Sequence, residues 1–345
     1  MNFKKKHLDD IVRCYCASHM TINDKLYAFF ASENPESECF SYSGNNFENK
    51  EVVWNGDRGG CMSIVPFKTR IGEFLAVNEF YLKVSPSHAK LVYGKKTEDG
   101  WVVKDLFNLP YLHRFDIYHV EDKDYVICAT IARDKAIKDD WTRPGQIYVG
   151  EVPNDLDNNN VVLRQIADGC FRNHGYSRGT HNGKICGYFT SDQGVLRILP
   201  PIEGSDWKVE KILEGQIGEI ALADIDNDGN DELMTIEPFH GNKINVYHIN
   251  SEGEYDVVYT YPKEIDFAHA LVGTTLCGKP CFVAGIRRIN CEIFVLTYEN
   301  GEYKYQIVEE GVGPANLDVV HHNGKEYILA ANHTKNEAAI YEVKE

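Results

Sequence analysis

Apolar residues along this chain fall in short runs, and almost none of them repeats with the period of a helix. The runs are rich in Val, Ile, Tyr and Phe and are separated by tight polar turns, which predicts strands throughout. Seven of the runs stand at equivalent places: residues 26–30, 72–77, 125–129, 185–189, 232–236, 280–284 and 326–330. Their spacing of roughly 45 to 60 residues is the period of a repeat protein. Each follows a turn, and three of the seven turns contain Asn-Gly or Asp-Gly, the pairs that favour a tight hairpin. Third strands follow, as at 146–149 and 245–248, and often fourth strands, as at 101–104, 207–210 and 303–306. Four strands per repeat at this period describe the blade of a β-propeller.

Seven such blades account for the whole chain. The last repeat stops after its third strand, 339–343, while residues 3–8 precede the first repeat and can supply its missing fourth. A blade shared by the two ends closes the ring and removes two open sheet edges. The expected fold is therefore all-β, a seven-bladed β-propeller spanning 1–345 as one domain. This overrides the length prior of about two domains for a chain of this size.

Composition narrows the partners. Hydrophobic residues make up 43% of the 345, enough for a sizeable core. The 52 acidic residues outnumber 36 basic ones, for a net charge of −16, and Lys4-Lys5-Lys6 is the longest basic run. Nucleic acid is thereby excluded as a general partner, since phosphate binding depends on clustered Lys and Arg. No stretch approaches the roughly 20 apolar residues of a membrane span. Acidic residues follow the basic N-terminus before any signal-peptide core, so a cytoplasmic protein with reduced thiols is expected. Cys14/Cys16 and Cys277/Cys281 are close pairs without a second pair or His partner at zinc-site spacing.

Propeller topology sorts the polar residues by face. The turns between first and second strands share one face, so His181, His321 and His322 are expected as surface histidines there. The links into the first strands and the second-to-third loops share the other face, around the channel mouth. Residues leading into the first strands are His19, Arg58, His113, His174, Glu219, His269 and Asn316. Several imidazoles with a carboxylate at ring-equivalent points suit a divalent transition metal such as zinc or manganese. The alternative is a polar lining for a water-filled channel. The second-to-third loops add Glu33, His88, Arg133, Trp141, Arg143, His240, Arg287, Arg288 and His333. The 131–146 loop, holding Trp141 and Arg143, reads either as a lid that stacks and hydrogen-bonds a sugar or as a solvated loop with a packed Trp. A nucleophile elbow and a phosphate-cradling glycine loop are both absent.

One turn is unusual. Asp224, Asp226, Asp228 and Glu232 occupy its first, third, fifth and ninth positions, with Gly229 at the sixth. Oxygen ligands in this order, bent around a glycine, suit a structural calcium ion; the alternative is a hydrogen-bonded Asp/Asn turn. The segment resembles the FG-GAP repeat of integrin-type propellers. Together with His113-Arg114-Phe115-Asp116-Ile117 and Asn173-His174-Gly175, it also resembles the propeller domain of fungal aldos-2-ulose dehydratases. That resemblance implies a metal-associated dehydration of a keto-sugar or anhydro-sugar. The cupin domains that accompany that propeller have no counterpart here, so no isomerase activity is expected. Oligogalacturonate lyases offer a second analogy, a seven-bladed propeller with a His-rich manganese site.

β-Elimination next to a carbonyl matches these residues: a metal polarises the oxygen and a neutral histidine takes the α-proton. His174, Glu219 and His269 are the expected metal ligands, and His113 the base or a fourth ligand. Arg114, Arg143 and His240 would position the substrate, and His19 and Asn316 are further ligand candidates. Asp116 either orients His113 or braces the blade, bracing being the better reading. The expected function is a metal-dependent carbohydrate lyase or dehydratase acting on a small sugar. The alternative is a non-catalytic propeller that binds a protein or glycan across the same face.

Overall fold

The computed structural model describes residues 1–82, 85–202 and 204–345. Among these, twenty-eight strands form seven four-stranded antiparallel sheets, the blades of an all-β, seven-bladed β-propeller. The chain divides into two compact units, Met1–Ala17 with Gln216–Glu345, and Ser18–Gly215.

The first unit holds blades five, six and seven. Their inner strands are Glu219–Ala223, Asp266–Leu276 and Asn316–His322, and their second strands Glu232–Glu237, Lys279–Arg288 and Lys325–Asn332. Blade seven is completed by the N-terminus: Asn2–Asp10 pairs antiparallel with Glu337–Lys344, from Asn2 opposite Lys344 to Asp10 opposite Glu337. The shared blade expected from the leftover 3–8 segment is present. Lys5 Nζ fastens it, lying 2.8 Å from both Glu309 and Glu337.

The second unit holds blades one to four, with second strands Lys25–Ser32, Glu73–Asn78, Lys123–Thr130 and Lys184–Ser191. In both units the core lies between blades rather than within one. Tyr118, Ile127 and Ile147 of blade three pack with Phe189 and Ile198 of blade four. Met234 and Val246 of blade five likewise meet Phe282 and Phe294 of blade six. A second strand covered on both faces needs apolar residues at every position, which is why these runs are continuous rather than alternating. Outer strands, such as Lys208–Leu213, have one open edge, and none of that strand's residues is fully buried.

The hairpin turns explain themselves chemically. Asn182-Gly183 and Asn323-Gly324 have positive φ at both residues, as a two-residue turn of this hand requires. Asp228-Gly229 is different: it lies inside the longer 224–231 loop between Ala223 and Glu232, not in a two-residue hairpin. His181 and His322 are half-buried and His321 is exposed at such hairpin ends.

Candidate functional site

In the first unit, blade six's ladder pairs Ala268 with Ile286 and then Ala270 with Gly285, leaving His269 as the extra residue of a β-bulge. A bulge turns one side chain out of the alternation of its strand, and bulges recur beside active sites. His269 is 2% exposed, and its Nδ1 lies 2.6 Å from the Ala315 carbonyl oxygen. A carbonyl can only accept, so Nδ1 carries the proton, and Nε2 is the acceptor nitrogen, 3.5 Å from the Tyr15 hydroxyl.

His240, from the second-to-third loop of blade five, places its ring 4.8 Å from that of His269. Phe239 stacks on His240 at 3.9 Å and Phe267 lies 4.4 Å from it. His240 and Phe267 both sit at positive φ, 48° and 56°, a conformation that side chains other than Gly and Asn seldom take. Such outliers concentrate at working sites. Ring nitrogens of His240 and His269 lie close enough to serve one metal ion. Glu219 is buried at the start of blade five's inner strand, its Oε1 accepting from the Ile220 N–H at 3.3 Å. The preceding Gly218 lets the 239–240 backbone close over it, because a Cβ there would meet Phe239 Cα at 2.9 Å.

Phe267 also borders a cavity of about 380 Å³ lined by Arg13, Arg287, Arg288, His333, Thr334 and Asn336. The Arg287 and Arg288 guanidinium carbons lie 4.7 and 4.4 Å from the Phe267 ring centre. Arg287 donates to His333 Nδ1 at 2.7 Å, and Arg288 pairs with Asp266 at 3.1 Å. In a chain of net charge −16 this is a concentration of positive charge beside two histidines, suited to an oxygen-rich or anionic ligand.

In the second unit, blade three repeats the device. Leu112 pairs with Thr130 and Arg114 with Ala129, leaving His113 at the bulge. His113 and His174 are buried with ring centres 4.5 Å apart, and Phe80 meets His113 edge-on at 5.2 Å. Arg114 donates from Nε to the His174 carbonyl at 3.2 Å, so here it braces backbone.

Asp116 is a brace as well. It accepts from Arg178 Nε at 2.7 Å and from the Ile117 N–H at 2.8 Å, and also from Arg178 Nη2 and the Tyr176 hydroxyl. Tyr118 joins through its hydroxyl, 3.0 Å from that of Tyr176. Gly187 makes room for it, since a Cβ there would lie 2.0 Å from the Tyr118 oxygen.

The 131–146 loop is built differently from a sugar-stacking lid. Lys135 Nζ sits 3.0 Å from the centre of the Trp141 ring and occupies its face. Burial there pulls the Lys135 ammonium down to about 8. Arg143 is exposed and pairs with Asp134 at 2.5 Å. His19 and Asn316 are half-buried on the inner strands of blades one and seven.

The acidic turn of blade five gathers Asp226, Asp228 and Glu232 with His248, their donor atoms within 4.8 Å of one another. Asp224 is not among them. Its Oδ1 accepts from the Asp228 N–H and its Oδ2 from the Gly229 N–H, each at 3.0 Å, so it shapes the turn. His248, from the third strand Lys243–Ile249, had no role assigned from sequence. Burial, then the Asp226 charge, pushes the Glu232 carboxyl up to about 7 against the Ile225 hydrogen bond. Burial alone would lower His248, but its Asp228 hydrogen bond and the Glu232 charge raise it.

All ten cysteines are free, and burial raises the thiols of Cys170 and Cys281 to about 12, which removes them as nucleophiles at neutral pH. Among the described residues no helix is long and apolar enough to cross a membrane. No family model matches the chain, and no curated protein is significantly similar to it. Among solved structures, Sqt1 of Saccharomyces cerevisiae is similar with a TM-score of 0.54 at 11% identity, over 99% of this chain and 98% of that one. At that identity the likeness shows the fold alone. The FG-GAP and aldos-2-ulose dehydratase resemblances gain no support from these comparisons and rest on their short motifs.

Proposed function

We propose that this propeller is a metal-dependent carbon–oxygen lyase that performs a β-elimination on a keto-sugar or anhydro-sugar. The seven blades act as one domain in this reading. The observation that carries it is His269: bulged out of its strand, buried, and held by Ala315 in the tautomer whose Nε2 is an acceptor and can act as a ligand. The donor chemistry fits a divalent transition metal, since two imidazoles of blades five and six can share one ion.

His269 and His240 would hold that ion, and His174 and Glu219 remain ligand candidates from their positions in the sequence. Bound there, the metal would polarise the substrate carbonyl and acidify the neighbouring C–H. A neutral imidazole takes that proton near working pH, the role the sequence suggests for His113, while the β-carbon–oxygen bond breaks and the leaving oxygen takes a proton from water or the imidazolium. Arg287, Arg288 and Arg13 would orient the sugar oxygens from the cavity beside Phe267. His240 moves in this reading from substrate positioning to the metal, and Arg114 and Arg143 recede from the substrate.

The test is metal content and turnover of the wild type against His240→Ala and His269→Ala. Protein purified without chelator is analysed for bound metal, and keto-sugar elimination is followed by the ultraviolet absorbance of the enone product. The expected result is that each variant loses one equivalent of transition metal and at least about 100-fold in rate, as removal of a direct ligand should. Unchanged metal in both variants would sink the lyase reading, leaving a propeller that binds a protein or glycan.

A further inference from the structure

Three carboxylates of the blade-five turn share one construction. Asp226 Oδ1 accepts from the Asp228 N–H at 3.1 Å, Asp228 Oδ1 from the Asn230 N–H at 2.8 Å, and Glu232 Oε2 from the Ile225 N–H at 2.8 Å. In each, the main chain holds one oxygen. The other oxygens, Asp226 Oδ2, Asp228 Oδ2 and Glu232 Oε1, lie 3.9, 3.0 and 3.5 Å from a single atom, His248 Nε2. Glu232 is fully buried, and its Oε1 has no hydrogen-bond partner among the described residues. A buried carboxylate oxygen without a donor is costly, and three converging carboxylates repel one another unless a cation joins them.

We propose that Asp226, Asp228, Glu232 and His248 form a four-ligand site for a divalent transition metal of the zinc class, distinct from the histidine pair. Four ligands around zinc, at bond lengths of roughly 2.0–2.1 Å, stand about 3.3 Å from each other, close to the 3.0 to 3.9 Å separations from His248 Nε2. Calcium fits poorly. It takes at least about six oxygen ligands, whereas one donor here is an imidazole nitrogen, a ligand suited to zinc. Asp224, first in the calcium spacing, is not among the residues whose donor atoms converge. The site joins the turn and the head of blade five's second strand to its third strand, so the ion acts as a staple within one blade.

This proposal does not rest on the lyase reading, and its test uses no turnover. The full chain carrying His240→Ala and His269→Ala is stripped of metal and titrated calorimetrically with Zn²⁺ and, separately, with Ca²⁺. One zinc is expected to bind and to raise the melting temperature, and equimolar calcium should not displace it. Adding His248→Ala should weaken zinc more than about 100-fold, since even partners outside the ligand shell are worth roughly 10- to 100-fold. If that variant fails to fold, Asp228→Asn on the exposed rim serves instead, with the same expectation. Zinc affinity unchanged by these substitutions would overturn the proposal. So would calcium binding that ignores His248, which would mark an all-oxygen turn. Absence of any binding would also overturn it and make His248, in its charged form, the cation of the cluster.

Discussion

The Asp116 cluster of blade three and the Glu232 cluster of blade five both centre on a buried carboxylate, and they are finished differently. Around Asp116, both oxygens receive donors: Arg178 twice, the Tyr176 hydroxyl and the Ile117 N–H. Around Glu232, one oxygen has the Ile225 N–H and the other has none, while two more carboxylates turn toward the same histidine. A closed cluster has nothing left to offer a ligand; it joins strands. An open one carries unspent acceptors whose desolvation only a cation can offset. A buried carboxylate occurs in both, so its presence does not separate them. The tally of donors against acceptors does.

The comparison breaks first at Asp116. If its cluster is a brace, Asp116→Ala leaves the Arg178 guanidinium facing two tyrosine hydroxyls without its carboxylate, and stability should fall by about 3 kcal/mol. Arg178 is partly exposed, which places the loss at the low end for a broken buried pair. Denaturant midpoints measure it, and zinc affinity of the blade-five site should not move. A loss within about 0.5 kcal/mol, the range of ordinary surface substitutions, would show that the closed network contributes little.

Glu232 should behave in the opposite sense. Its folded carboxyl titrates at about 7 against an ordinary 4.5, so between those pH values the folded state holds the proton more tightly than the unfolded chain. Stability of metal-free protein must then fall as pH rises from about 4.5 to about 7. His248, also raised when folded, adds a loss of the same sign as pH rises through its own titration. Glu232→Gln should flatten the lower part of that slope, read from melting temperatures across the range. A metal-free wild type that is equally stable at pH 5 and pH 7 would mean that the Glu232 cluster is closed after all.

Glu337 offers a second closed cluster, with the reverse pH dependence. Burial would raise its carboxyl, but hydrogen bonds from Lys5, Asn332 and His7 outweigh that and hold it at about 2. Stability from this group is complete above about 4.5 and is lost as pH falls toward 2. Since Lys5 and His7 lie on the closing strand, acid should release residues 2–10 first. Amide exchange of that strand at pH 3 against pH 6 checks it, and Glu337→Gln should remove most of the difference.

Which of this could be read from the chain follows from what each feature depends on. The seven blades were legible because a second strand covered on both faces must be apolar throughout, and that run recurs wherever it stands. Closure was legible from the unpaired 3–8 segment. His113 and His269 were found by their place ahead of the inner strands, but the bulges that aim them were not, because a bulge exists only relative to the partner strand's register. His248 was missed for a related reason. Leu233 lies opposite Tyr247, and one further step along that ladder brings His248 to Glu232, a step invisible without the register. The role of Asp224 was also beyond reach: spacing counts carboxylates but does not say whether one faces a cation or caps its own turn.

Arg143 gives the smallest expected effect and the sharpest control. By residue type, an arginine beside a tryptophan on a long loop suits a sugar. In the structure its guanidinium reaches Asp134 on an exposed stretch, and Lys135 covers the face of Trp141. An exposed ion pair is worth about 0.2–1 kcal/mol and is screened by salt. Arg143→Ala should therefore lower stability by no more than about 0.5 kcal/mol, with the difference fading as salt is raised. Keto-sugar elimination, where it is measurable, should keep both kcat and KM. A several-fold rise in KM at unchanged kcat would mean that the loop turns Arg143 toward substrate. An exposed arginine already paired with an aspartate would then be part of the site, and the tally that separates the Asp116 and Glu232 clusters would fail for residues on long loops.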